Sequence, residues 1–195
     1  MPHILPSSPG PSSMTPRPIF ARNETRPAYG GSVGRNLRPG TRWAWDIDMP
    51  AMTYVQALAF DDILSEDETV VIDILQPGLV IGNPGAPQIN GGSQLGRTLN
   101  LKGLTPGYVL RKGQWLSFQV SAQWFAYKTS AAATADGSGN VAVPLRTMIR
   151  VPPANNAAVA IAAPKAEGWA TVDPESLRVG VDQLVWLRFT VEERE

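Results

Sequence analysis

Cysteine is absent from this 195-residue chain, so disulfides, thiolate nucleophiles and thiolate metal sites are excluded. Histidine occurs once, at His3 in a Pro/Ser-rich stretch, which rules out a Ser-His-Asp system in any folded core. Neither sign of charge is in excess, since 17 Lys and Arg balance 17 Asp and Glu. That balance argues against a general nucleic-acid binder and against attraction to anionic membranes. It also removes the self-repulsion that keeps monomers apart, which favours life in an assembly. No apolar run approaches the roughly 20 residues that span a bilayer. The opening MPHILPSSPGPSSM lacks the basic start and continuous apolar stretch of a signal peptide. The expectation is a soluble protein made in the cytoplasm, with no membrane partner.

What the chain does have is 43% apolar residues against 17% charged, enough to bury a real core in one large domain or two small ones. Residues 1–16 contain five prolines and five Ser or Thr, a composition that predicts a flexible N-terminal arm. A short extended segment, Arg17 to Glu24, leads into a long Gly/Arg/Pro-rich loop at 26–40. In RWAWDIDM, Trp43, Trp45, Ile47 and Met49 alternate with Arg42, Ala44, Asp46 and Asp48, which predicts a half-buried strand. The stretch TYVQALAFDDIL is the best helix candidate. Thr53 and Gln56 are spaced for a capping box, and Tyr54, Ala57, Leu58 and Ile63 offer an apolar stripe. TVVIDIL (69–75) is a further strand.

From about residue 82 the composition shifts. NPGAPQINGGSQLG reads as a linker or long turn, and short strand candidates separated by turn chemistry follow it. Long alternation returns in LVWLRFTVEE, where Val185, Leu187, Phe189 and Val191 share one face. The reading is a mainly β fold with one helix. An outer β-barrel or sandwich domain spans 17–84 plus 169–195, and a small β-barrel domain, 85–168, is inserted into it.

Few residues offer chemistry. The loop in TADGSGNVAV places Asp136, Ser138 and Asn140 like the start of a calcium loop, but Val141 and Thr147 stand where that loop needs Gly and a bidentate Glu. No Lys-Ser/Thr pair follows its glycines, so a phosphate loop fails as well. Asp136-Gly137 and Gly139-Asn140 are better read as the positive-φ positions of a β-hairpin. Asp46 with Asp48, and Asp61 with Asp62, read as solvated carboxylates rather than catalytic pairs. No Gly-x-Ser-x-Gly elbow occurs. The expectation is no enzyme, no cofactor and no metal. Among the six tryptophans, Trp115 and Trp124, with Tyr127 nearby, suit either a sugar platform on a β scaffold or the core of the small domain. Trp43 and Trp45 read as outer-domain core or an intersubunit contact. Arg17, Arg22, Arg26, Arg35 and Arg38 are spread along the N-terminal segment, suiting DNA phosphates or, better, acidic patches on a neighbouring copy.

Taken in order, these features resemble the distal tail (minor tail) protein family of long, flexible-tailed bacteriophages. The carriers are RWAWDIDMPAMTYVQALAF, then INGGSQLGRTLNLKGLTPGYVLRKGQWLSF, then TADGSGNVAVPLRTMIRVPPANNAAVAI. Together with their flanks they cover residue 19 to the C-terminus. The family's Lys-Ala-Gly-Asp turn is Arg-Lys-Gly-Gln here, and the helix ends in an acidic run where many relatives are basic. The resemblance implies an adaptor ring, commonly a homo-hexamer, in the virion between the tail tube and the tail-tip hub or fibre. Its outer domain is similar to the tail-tube β-barrel, and its insert points outward. Genomic DNA would pass through the lumen without specific binding. Ring contacts are then expected from the loop 26–40 (Arg26, Arg35, Arg38), from Trp43 and Trp45, and from the final strand 184–193 (Trp186, Arg188). Competing readings are a carbohydrate-binding module built on Trp115, Trp124 and Tyr127, or another ring of the tail such as a tube or terminator protein.

Overall fold

The computed structural model describes residues 2–66, 68–173, 176, 178–180 and 182–194. The first part of the chain forms β1 (His3–Ile4), β2 (Ser13–Ile19), β3 (Arg22–Thr25), β4 (Gly34–Leu37), β5 (Arg42–Asp48), helix α1 (Tyr54–Leu64) and β6 (Thr69–Asp73). The middle forms β7 (Gly85–Ile89), β8 (Gly96–Leu104), β9 (Val109–Leu110), β10 (Trp115–Val120), β11 (Gln123–Lys128), β12 (Ala133–Thr134), β13 (Val141–Ile149) and β14 (Val159–Ala160). The last part forms β15 (Lys165–Val172), β16 (Arg178–Val179), β17 (Val185–Trp186) and β18 (Arg188–Glu193). The fold is mainly β with one helix. The expected barrels do not close among the described residues. The ladders are a six-stranded mixed sheet, β1-β6-β15-β18-β5-β2, and several smaller open sheets.

Alternation explains the large sheet. Trp43, Trp45 and Ile47 of β5, with Met49 just after it, face the same core as Val185, Leu187, Phe189 and Val191, and all eight are buried. Helix α1 covers part of that face with Ala57, Phe60 and Leu64. The expected stripe was only partly right, because Tyr54 and Leu58 are exposed and Phe60 and Leu64 point inward in their place. The start of the helix follows its sequence signal. Gln56 N–H donates to Thr53 Oγ1 at 3.4 Å, and Thr53 N–H donates to Gln56 Oε1 at 3.0 Å. Changing Thr53 to Ala leaves the Gln56 N–H to water, while the backbone N–H of residue 53 still reaches Gln56 Oε1, and is expected to lower stability by about 1 kcal/mol in urea denaturation. A loss below a few tenths would show that the box contributes nothing beyond the helix's packed face.

A second core lies between β10–β11–β14 and β13–β8–β7, with Leu99, Leu101, Leu116, Phe118, Phe125 and Tyr127 among its buried members. The β10–β11 hairpin serves both cores. Leu116, Phe118 and Tyr127 enter the second, whereas Trp115 and Ala126 enter the first.

Two stretches are more regular than their composition suggests. The Pro/Ser-rich start, expected to be a flexible arm, lies along the large sheet, with β1 parallel to β6 and β2 antiparallel to β5. Leu5 and Met14 pack against the first core and hold it there. Pro16 and Pro18 sit opposite Trp45 and Trp43 on an edge strand, where a missing N–H costs no ladder bond. Likewise the expected linker at 82–95 contributes β7, an edge strand whose register shifts across Pro87 between Gly85 and Gln88.

Candidate functional site

Four places among the described residues stand out, and they differ in how much of their polar capacity is already used. The first is the junction of the two cores. Glu193, at the inward end of β18, is 1% exposed. Its carboxylate accepts N–H bonds from Trp43 (2.9 Å) and Ala126 (2.9 Å), and lies 2.8 Å from Arg150 Nη2. Burial pushes the Glu193 carboxyl upward, opposed by the Arg150 charge and the two N–H donors. A second buried carboxylate, Glu167, accepts from Trp124 N–H at 3.2 Å and Thr69 Oγ1 at 3.3 Å. Both carboxylates therefore cap the outer edge of β11, leaving that edge no free donors at 124 and 126 to offer a neighbour. This junction is structural: every group in it is turned inward.

The second place is the polar face of the large sheet. Asp46 accepts from Arg17 Nε (3.1 Å) and Thr190 Oγ1 (2.7 Å). Asp48 accepts from Ser13 Oγ at 2.7 Å and from Arg188 Nε. The Arg188 bond, then the Ser13 bond, hold the Asp48 carboxyl below its ordinary range. Both aspartates are occupied in cross-strand pairs, which is how cross-strand charges stabilise a sheet. Arg188 is thus paired within its own chain, and β18 lies inside the sheet between β15 and β5. Only side chains of β18 remain to meet a neighbour, whereas Trp186 lies before it on β17 and is exposed.

The third is the β3–β4 ribbon with its connecting turn at 26–33. Loop 26–40, expected to lack structure, includes one strand of an antiparallel pair, Arg22 opposite Leu37 through Thr25 opposite Gly34. Residues 22–36 are exposed throughout, including Tyr29 and Val33. Arg26 and Arg35 both pair with Glu24, at 3.6 and 2.7 Å, within the ribbon itself. Arg38 stands apart at its base.

The fourth is a cavity of about 410 Å³ lined by Pro16, Pro18, Phe20 and Trp43 together with Arg38, Arg97, Lys128 and Arg146. Among the described residues, no carboxylate lines it. Lys128 Nζ stands over Trp115 (5.1 Å to the ring centre) and Trp43 (6.0 Å). Burial, then the Arg146 charge, push the Lys128 ammonium down. These cations come from positions far apart in the chain, so no sequence window announces them.

The remaining expectations fare unevenly. Trp115 and Tyr127 are 5% and 1% exposed and belong to different cores, while Trp124 is half-buried. The three do not form a common open platform. Trp43 and Trp45 are buried in the first core, where Trp43 meets Trp115 edge-on at 4.7 Å. In the TADGSGNVAV segment, Asp136 Oδ1 accepts the N–H groups of Ser138 and Asn140, both at 2.8 Å, so its own backbone occupies it. Those bonds hold the Asp136 carboxyl down. Gly139 has φ +76°, and a Cβ there would come within 2.3 Å of Leu104 O. Gly137 and Asn140 have no positive φ, and the flanking strands do not pair, since β12 joins β9 and β13 joins β8. The expected reversal is there, with Asp136 N–H donating to Asn140 O at 2.8 Å and Gly139 N–H to Asp136 O at 3.0 Å, but no hairpin ladder continues from it because the flanking strands pair elsewhere. Among the described residues, no group of three or more His, Cys, Asp or Glu is placed to hold a metal ion. No protein-family model and no curated protein matches the chain.

Proposed function

We propose that the chain is a structural subunit of a phage tail. It would form the adaptor ring between the tail tube and the tail-tip hub or fibre, in the virion, with no catalytic role. The observation that carries this reading is the β3–β4 ribbon. A two-stranded ribbon without a core is marginal in water on its own, and this one presents Tyr29 and Val33 outward. Its physical rationale is a neighbour that covers it. Two edges of the larger body are already blunted, β2 by Pro16 and Pro18 and β11 by Glu167 and Glu193. Contacts between copies would then be heterologous, ribbon to body, as a closed ring requires. The neutral charge and the ordered motif series from residue 19 onward support the same reading.

Light scattering over a concentration series tests it on the full chain and on a variant with residues 23–36 replaced by an Asn-Gly turn. The full chain is expected to form a discrete ring of about six copies. The variant is expected to stay monomeric, with its unfolding midpoint within a few degrees of the parent. A full chain that is monomeric alone and also fails to sediment with purified tail tubes would overturn the proposal. So would a variant that assembles unchanged.

A further inference from the structure

We propose that the cavity bordered by β2, β5, β8, β11 and β13 is a binding site for a compact, multiply charged oxyanion of the phosphate type. Four cations from four separate segments converge on it: Arg38 beside the ribbon, Arg97 on β8, Lys128 on β11 and Arg146 on β13. None of the four makes an ion pair among the described residues, whereas Arg17, Arg26, Arg35, Arg42, Arg150, Lys165 and Arg188 do. The other cations without one there, Arg22, Lys102, Arg111, Lys112, Arg178 and Arg194, do not line the cavity. In a chain with equal numbers of acids and bases, four unmatched cations around one cavity are a local excess that an anion would neutralise.

The backbone around them is built irregularly. β13 and β8 lose register between Pro144 and Ile149, and Arg146, Thr147 and Met148 of that irregular stretch line the cavity, with Arg97 across from them. Bulges of this kind re-aim side chains next to binding sites. Trp43, also in the lining, keeps a buried indole N–H with no acceptor. Three guanidinium forks and one ammonium match the several oxygens of a phosphate group better than the two oxygens of a single carboxylate. The volume suits a pyrophosphate or sugar phosphate rather than a duplex, and the zero net charge points away from a polymer-tracking surface.

Calorimetric titration of the full chain with inorganic pyrophosphate at low ionic strength tests the site. Saturable binding to one site per chain is expected. The double variant Arg97→Gln, Arg146→Gln, which alters only exposed side chains, is expected to weaken it by about tenfold or more. Thermal unfolding of the same variant shows that its fold is kept. Binding that is absent at millimolar pyrophosphate, or unchanged in the double variant, overturns the assignment. A single-stranded oligodeoxynucleotide forms the second arm. If it binds and pyrophosphate cannot displace it, the surface follows a polymer backbone and the compact-anion site is wrong. Ring formation has no part in this readout, so the result stands apart from the assembly proposal.

Discussion

Changing Glu193 to alanine is expected to lower the unfolding free energy by about 3–5 kcal/mol, measured by urea denaturation. The reason is what the carboxylate leaves behind. Trp43 N–H, Ala126 N–H and the buried guanidinium of Arg150 all depend on it. Arg150 would keep only the Phe125 ring, 5.2 Å from its centre, and a long bond to the Arg194 carbonyl. An unpaired buried cation and two orphaned amides outweigh the favourable burial of a methyl group. Glu193→Gln should fall between alanine and the parent. Its amide oxygen can still accept from one backbone N–H, but its NH2 then faces a donor where a carboxylate oxygen stood. Glu192→Ala is the matched control, since Glu192 is the more exposed partner of Arg42 and its loss should cost no more than about 1 kcal/mol. Because a domain holds only some 5–15 kcal/mol in total, the alanine change alone should consume a large part of it. A loss no greater than that of the control would mean that the junction between the cores is loose and that Glu193 is hydrated.

Glu193 also shows how far the sequence could be read. In LVWLRFTVEE the inward positions are Val185, Leu187, Phe189 and Val191, and the same period of two continues to residue 193. The alternation therefore pointed Glu193 inward. The terminal charge run hid the signal, because Glu-Glu-Arg-Glu normally marks a solvated end. The Trp43–Met49 strand and the Thr53–Gln56 cap were legible because each rests on a local rule that the fold did not need to override. The ribbon was not legible. Arg22–Thr25 and Gly34–Leu37 have no apolar face, so hydrophobic periodicity has nothing to report. The strand at Gly85–Ile89 was missed because Pro87 argues against a strand unless it is known to lie at an edge, and edge position is a property of the finished sheet. The basic cavity was beyond reach for the same reason: Arg38, Arg97, Lys128 and Arg146 share nothing until the fold brings them together.

The other large effect is expected at Trp115, the residue on which a sugar platform and a packed core make opposite forecasts. On an exposed platform, Trp115→Ala would abolish glycan binding and leave stability within about 0.5 kcal/mol, as for most surface changes. In this fold the ring is 5% exposed, 4.7 Å from Trp43 and 5.8 Å from Trp45, with Lys128 across its face. Truncation would empty the space between the β10–β11 hairpin and the large sheet, where neighbours on both sides are fixed by their own ladders. The expected loss is about 3–5 kcal/mol, the range for buried Trp or Phe reduced to Ala. Trp115→Phe should recover more than half of it by refilling most of the volume. The half-buried Trp124 gives the internal comparison. Its backbone N–H reaches Glu167 whatever the side chain is, so Trp124→Ala should cost clearly less than Trp115→Ala. If the two variants instead unfold alike, close to the parent, the hairpin is not clamped between two cores. The aromatic surface would then be open to ligand, and the carbohydrate-binding reading would replace the structural one.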